Sequence, residues 1–196
     1  MAIAINGSGT LTGVSTGGIS DTKAVADAAM PAGAILQVTN TTVNAASTLS
    51  LISAWVDSAL TCSLTPSSSS SKILISMSAT GEGNAVNQEM FSYRIKKSIS
   101  GGATTYLTGA TAGSRTLITG VTGDNTADSG TSVSSFSFSN YLDSPSTTSA
   151  VTYTIQITYD HAGGSGTYYL NRQVTDSDAG ANARAISWIT LMEVAG

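Results

Sequence analysis

Residues 151–159 read Val-Thr-Tyr-Thr-Ile-Gln-Ile-Thr-Tyr, with an apolar or aromatic side chain at every odd position and a polar one at every even position. A period of two sends alternate side chains to opposite faces of an extended strand. The segment therefore fits a sheet with one face in a core and the other in water. The period recurs. Leu60, Cys62 and Leu64 alternate with Thr61 and Ser63, Ile73, Ile75 and Met77 with Leu74, Ser76 and Ser78, and Phe136 and Phe138 with serines. Residues 34–39 are the expected first strand. The last strand, 186–194, is apolar on both sides: Ile186, Trp188, Met192 and Val194 on one face, Ile189 and Leu191 on the other. Such a strand is either central in a sheet or laid against a neighbouring subunit.

Between these runs lie stretches dense in turn-forming residues: 66–71, 100–102, 120–130, 143–145, 161–166 and 176–180. Eight or more short strands with such breaks, and no long amphipathic helix, predict an all-β fold. The expected architecture is an antiparallel β-sandwich, jelly-roll-like, over residues 34–196. No solenoid-type repeat is present. Residues 1–33 differ, because Gly7, Gly9, Gly13, Gly17 and Gly18 punctuate them and large side chains are few. Such a stretch buries little by itself and reads as an extended N-terminal anchoring arm. Within it, Ser20 is placed to cap a short helix reaching Ala29, with Pro31 as its stop.

Composition narrows the function. Serine and threonine supply 31 and 28 of the 196 residues, while charged residues supply 10%. The net charge is −4, and the eight basic residues are scattered, with only Lys96 and Lys97 adjacent. A nucleic-acid binder needs clustered cations, so that class is not expected. Cys62 is the only cysteine, so no intrachain disulfide can form. No apolar run approaches the roughly 20 residues that span a bilayer, so membrane insertion is not expected. The opening, Met1-Ala2-Ile3-Ala4-Ile5, lacks a basic n-region, which predicts synthesis in a cytoplasm without a secretion signal.

Motifs with catalytic associations are weak. Residues 13–17 match G-x-S-x-G, but a nucleophile elbow needs a buried strand before it and a helix after it. Residues 69–72 and 20–23 match S-x-x-K without the companion motifs of the penicillin-binding enzymes. His161 neighbours Asp160 in a glycine-rich loop, where a solvated side chain is the ordinary outcome. Asp124, Asn125 and Asp128, and also Asp176 and Asp178, are oxygen-ligand candidates for calcium, but these residues equally form turns through their own side chains. One cysteine and one histidine do not make a typical structural zinc site. No cofactor is implied. Cys62 is expected in the core, and Trp55 and Trp188 in core or interface packing. Trp55, Tyr168 and Tyr169 are also candidates for stacking on a sugar or protein.

Several phrases occur together in one order: Trp55-Val56-Asp57-Ser58, Leu64-Thr65-Pro66-Ser67, Ser71-Lys72-Ile73-Leu74-Ile75, Ala112-Gly113-Ser114-Arg115-Thr116, Tyr141-Leu142-Asp143-Ser144-Pro145, Tyr169-Leu170-Asn171-Arg172 and Ile189-Thr190-Leu191-Met192-Glu193-Val194. This set resembles a domain of virion structural proteins from tailed bacteriophages of marine and cyanobacterial hosts. Such domains are usually attached to tail fibres or other surface appendages. The resemblance implies a non-enzymatic protein on the virion exterior, a trimeric short tail fibre or fibre tip. Its arm would join other virion proteins, and its body would contact a host-surface glycan or protein. A capsid decoration or head-fibre protein is the alternative. The candidate oligomer interface is Ile186, Trp188, Ile189, Leu191, Met192 and Val194. The candidate recognition residues are Asp124, Asn125, Asp128, His161, Tyr168 and Tyr169.

Overall fold

The computed structural model describes residues 4–5, 11–12, 30–52, 54–85, 91–121, 134–159, 165–180 and 182–196, and no helix occurs among them. The expected helix from Ser20 to Ala29 lies outside these residues. Strands β1 (Ala4–Ile5) and β2 (Leu11–Thr12) pair antiparallel. The body is built from β3 (Ile35–Val43), β4 (Ser47–Ile52), β5 (Val56–Leu64), β6 (Lys72–Ala85), β7 (Phe91–Ile99), β8 (Thr104–Leu107), β9 (Gly120–Val121), β10 (Ser134–Asp143), β11 (Val151–Tyr159), β12 (Ser165–Leu170) and β13 (Ser187–Val194).

These strands form two antiparallel sheets of four lanes each. In the first sheet β6 is long enough to pair with β13 through residues 72–78 and with β12 through 81–85 on one side, and with β10 on the other. β13 and β12 pair in turn with β3 and β4, so the lane order is β3/β4, β13/β12, β6, β10. The second sheet runs β5, β11, β7, then β8 and β9 end to end. Counted as eight lanes in chain order, the sheets hold lanes 1-8-3-6 and 2-7-4-5. The chain crosses between layers at nearly every connection, and that order defines the eight-strand jelly roll. The expected sandwich is therefore present.

The period-two segments fill the space between the sheets. Leu60, Cys62 and Leu64 from β5, Ile73, Ile75 and Met77 from β6, and Val151, Tyr153, Ile155 and Ile157 from β11 are all buried in one core. Aromatic rings close one end of it. Phe91 lies 5.5 Å from Tyr159 and 5.7 Å from Tyr168 between ring centroids, and Tyr93 stacks on Phe136 at 4.5 Å. Gly83 makes this possible. A Cβ there would overlap the Phe91 ring, so a bare backbone is what lets β6 pass beneath it. Polar groups also tie the layers. Asp143 at the end of β10 accepts hydrogen bonds from Tyr153 Oη at 2.7 Å on β11 and from Lys97 Nζ at 3.0 Å on β7.

Candidate interaction surfaces

β13 explains its own two-sided apolarity. It lies between β3 and β6, and Ile189 and Leu191 face the second sheet, fully buried. They are core residues and cannot contact a partner, which corrects their place in the candidate interface. Trp188, Met192 and Val194 point the other way and are half-buried, and Ile186 is exposed just before the strand. The register then extends this outward face. Met192 lies opposite Val38 on β3 and Leu74 on β6, and Leu74 lies opposite Leu142 on β10. Paired residues in an antiparallel sheet share a face. The result is a row of four apolar side chains crossing the whole sheet, with Val38 55% and Leu142 44% exposed at its two ends.

The neighbouring rows fix the chemistry of that face. On one side a register shift brings Ile35, 46% exposed, opposite Val194, whose other partner is Lys72. On the other side stand Asn40, Thr190 and Ser76, with Asn40 Nδ2 donating to Thr190 Oγ1 at 2.7 Å. Trp188, opposite Thr42 and Ser78, follows. The centre of the surface is thus apolar, with an uncharged polar flank on the Asn40 side and exposed Lys72 on the other. Val38, Leu74 and Leu142 were not singled out in the sequence, because each needs the strand register before it joins Met192.

The outer face of the second sheet is different. Gln156 on β11 lies opposite Asp57 on β5 and Arg94 on β7. Arg94 Nε donates to Gln156 Oε1 at 2.7 Å, Gln156 Nε2 donates to Asp57 Oδ1 at 2.6 Å, and Lys96 Nζ donates to Asp57 Oδ2. The guanidinium carbon of Arg94 is 4.2 Å from the centroid of Trp55 and 3.7 Å from that of Tyr106 on β8. Burial raises the pKa of Asp57, but the hydrogen bonds from Lys96 and Gln156 outweigh it and hold the carboxyl below its ordinary 3.8. Partial burial lowers the pKa of Arg94 below the ordinary arginine value; an arginine remains charged at neutral pH. Trp55 is thus half-buried against a cation rather than part of the core. The alternation Phe91-Ser92-Tyr93-Arg94-Ile95-Lys96 was the available signal that Arg94 and Lys96 share a face.

Of the candidate recognition residues, Asp124, Asn125, Asp128 and His161 lie outside the described residues, as does the G-x-S-x-G segment. Tyr168 belongs to strand β12, not to a loop, and is fully buried, so it is not a surface residue. Tyr169, its neighbour, faces outward under the Arg172 guanidinium, 4.2 Å from the ring centroid. Asp176 is paired with Arg184 at 2.5 Å and Arg172 at 3.9 Å, which gives its carboxylate cationic neighbours. Among the described residues no cluster of three or more His, Cys, Asp or Glu side chains could hold a metal ion. The buried acids are engaged in the fold. Glu193 accepts from Ser67 and Gln37, Asp143 from Lys97 and Tyr153, and Glu82 from the Val174 amide.

No protein-family model matches the chain, and no curated protein does. Among solved structures, it is similar to the structure of infectious bursal disease virus Gx strain, with 11% identity and a TM-score of 0.38 over 81% of this chain and 37% of that one. It is also similar to the crystal structure of the infectious bursal disease virus VP2 subviral particle, with 12% identity and a TM-score of 0.34 over 81% of this chain and 38% of that one. The chain thus spans well under half the length of both. The fold assignment rests on the strand order above.

Proposed function

We propose that this protein is a non-enzymatic structural component of a virion exterior, acting as a trimeric short tail fibre or fibre tip. The observation that carries this reading is the apolar row Val38–Met192–Leu74–Leu142 across one outer face of a jelly roll. A solvated apolar stripe of this kind is stabilised by association, at about 25 cal/mol per Å² of apolar area covered. The flank of Asn40, Thr190 and Ser76 carries no charge and so adds no like-charge repulsion when identical copies meet. The engagement of the buried acids in the fold supports a mechanical role, and the ordered phrases shared with tailed-phage appendage domains support the location. Residues 1–33 are the proposed attachment to other virion proteins, and the body is the proposed host contact.

Quantitative mass spectrometry and immunogold labelling of purified virions test this. Tens of copies at the tail are expected. Hundreds of copies over the head would replace the fibre reading with capsid decoration, and absence from the particle would overturn both.

A further inference from the structure

The geometry points to a binding site for a carboxylate-bearing sugar, of the uronate or sialate type, on the outer face of the second sheet at Arg94, Tyr106 and Trp55. The proposal deepens the host-contact reading and rests on it for biological context, but the site is argued from the side chains alone. Each polar group in the row has a set partner. Lys96 and Gln156 take up the two oxygens of Asp57, and Gln156 in turn accepts from Arg94 Nε. Arg94 is therefore oriented through Nε, and its two terminal nitrogens have no hydrogen-bond partner among the described residues. The nearest acid in the row, Asp57, is already engaged. The rings of Trp55 and Tyr106 fix where the guanidinium lies.

A guanidinium oriented in this way, with its outer nitrogens open, matches a planar carboxylate by two parallel N–H···O bonds. Tyr106, 43% exposed, offers an amphipathic ring beside it. A bare anion uses only the first of these features and a neutral sugar only the second. A pyranose bearing a carboxylate uses both: the acid on Arg94, and the less polar face of the ring on Tyr106. A polynucleotide is the poorer match, because Lys96 is spent on Asp57 and the chain is net negative.

The test is ligand-observed saturation-transfer NMR and titration of the full chain with glucuronate and with N-acetylneuraminate. Glucose serves as the neutral control, and acetate and inorganic phosphate as anions without a sugar ring. We expect binding of an acidic sugar with a dissociation constant on the order of 1 mM, the affinity a ligand of about 13 non-hydrogen atoms reaches at ordinary efficiency. Arg94→Lys keeps the charge but loses the fork and should weaken binding at least tenfold. Tyr106→Ala, on a short edge strand, should do the same while leaving the circular dichroism spectrum unchanged. Glucose binding as tightly as the acids, phosphate or acetate matching them, no binding of either acid, or both variants binding like the parent would each overturn the assignment. Failure here, with the protein abundant on virions, removes only the sugar site; glucuronate binding by a protein absent from virions removes only the virion reading.

Discussion

Glu193 Oε2 accepts a 2.6 Å hydrogen bond from Gln37 Nε2, tying the last strand of the body to its first. The other oxygen accepts from the Ser67 amide at 2.6 Å and the Ser67 hydroxyl at 2.7 Å, so one fully buried carboxylate also holds the turn between β5 and β6. Burial alone would raise the pKa of this group. The hydrogen bonds from Gln37 and Ser67 outweigh it and hold the pKa below the ordinary 4.5. A depressed native pKa means that the stabilisation is complete above the unfolded value and is lost as the pH falls through the native one. Glu193→Ala removes three charge-assisted hydrogen bonds to the half-buried Gln37 and the exposed Ser67, and should cost about 2 kcal/mol at pH 7. Glu193→Gln should cost less and flatten the acid limb. Urea midpoints at pH 7 and across pH 5 to 2 check this, and an unchanged acid limb in the Gln variant would assign the acid sensitivity elsewhere.

Tyr168 invites a substitution that should not hurt. Its ring is fully buried against Phe91 and Phe136, but among the described residues its hydroxyl has no hydrogen-bond partner. A buried hydroxyl without a partner costs about 1–3 kcal/mol in desolvation. Burial also pushes its pKa upward, so ionisation offers no relief. Tyr168→Phe keeps the ring and removes the orphan group. The melting temperature should rise or hold, corresponding to about 1 kcal/mol gained. A clear fall would reveal a partner for the hydroxyl.

Much of the sandwich was legible because period-two patterning is local. Residues 151–159 coincide with β11, and the alternations at 60–64, 73–77 and 136–138 fall inside β5, β6 and β10. Strand β12 was hidden because Gly166 and the Tyr168-Tyr169 pair read as a loop with exposed rings. Pairing with β4 and β6 made it a strand, and Gly81 left room for Tyr168 and the Tyr169 carbonyl while Gly83 left room for Phe91. The surfaces were less legible for a different reason. The sequence shows which residues alternate along one strand, whereas the apolar row and the Arg94 cluster arise from register between strands distant in the chain. Ile189 and Leu191 looked like interface residues because apolarity alone does not distinguish an inner sheet face from one covered by another subunit.

Gly83 is a sterically sensitive position in β6. Its absent Cβ leaves the space occupied by Phe91, whose ring is wedged between Tyr159 and Tyr168 and has little freedom to move. Gly83→Ala should cost about 1–3 kcal/mol through overpacking. Gly109, where an added Cβ would meet nothing within 4 Å, is the internal control. Gly109→Ala should change stability by less than about 0.5 kcal/mol. Denaturant titrations of both compare a crowded glycine with an open one, and equal effects would remove steric packing as the reason for Gly83.

Self-association through the first sheet makes a sharper demand. Val38 and Leu142 are the most exposed members of the apolar row and stand at its two ends, on β3 and β10. Neither supplies the core, so lysine at both positions should leave the circular dichroism spectrum and melting of the isolated fold near those of the parent. In a complex of identical copies the same lysines would have to be desolvated beside one another, which costs several kcal/mol and should weaken association by about 100-fold or more. Sedimentation velocity at matched concentrations should find the parent as a trimer and the double variant as a folded monomer. Because the row is apolar, the parent trimer should persist at about 0.5 M salt, where exposed charge pairs are screened within about 5 Å. A parent that sediments as a monomer, or a double variant that stays trimeric, would mean that copies of this chain do not meet across this face.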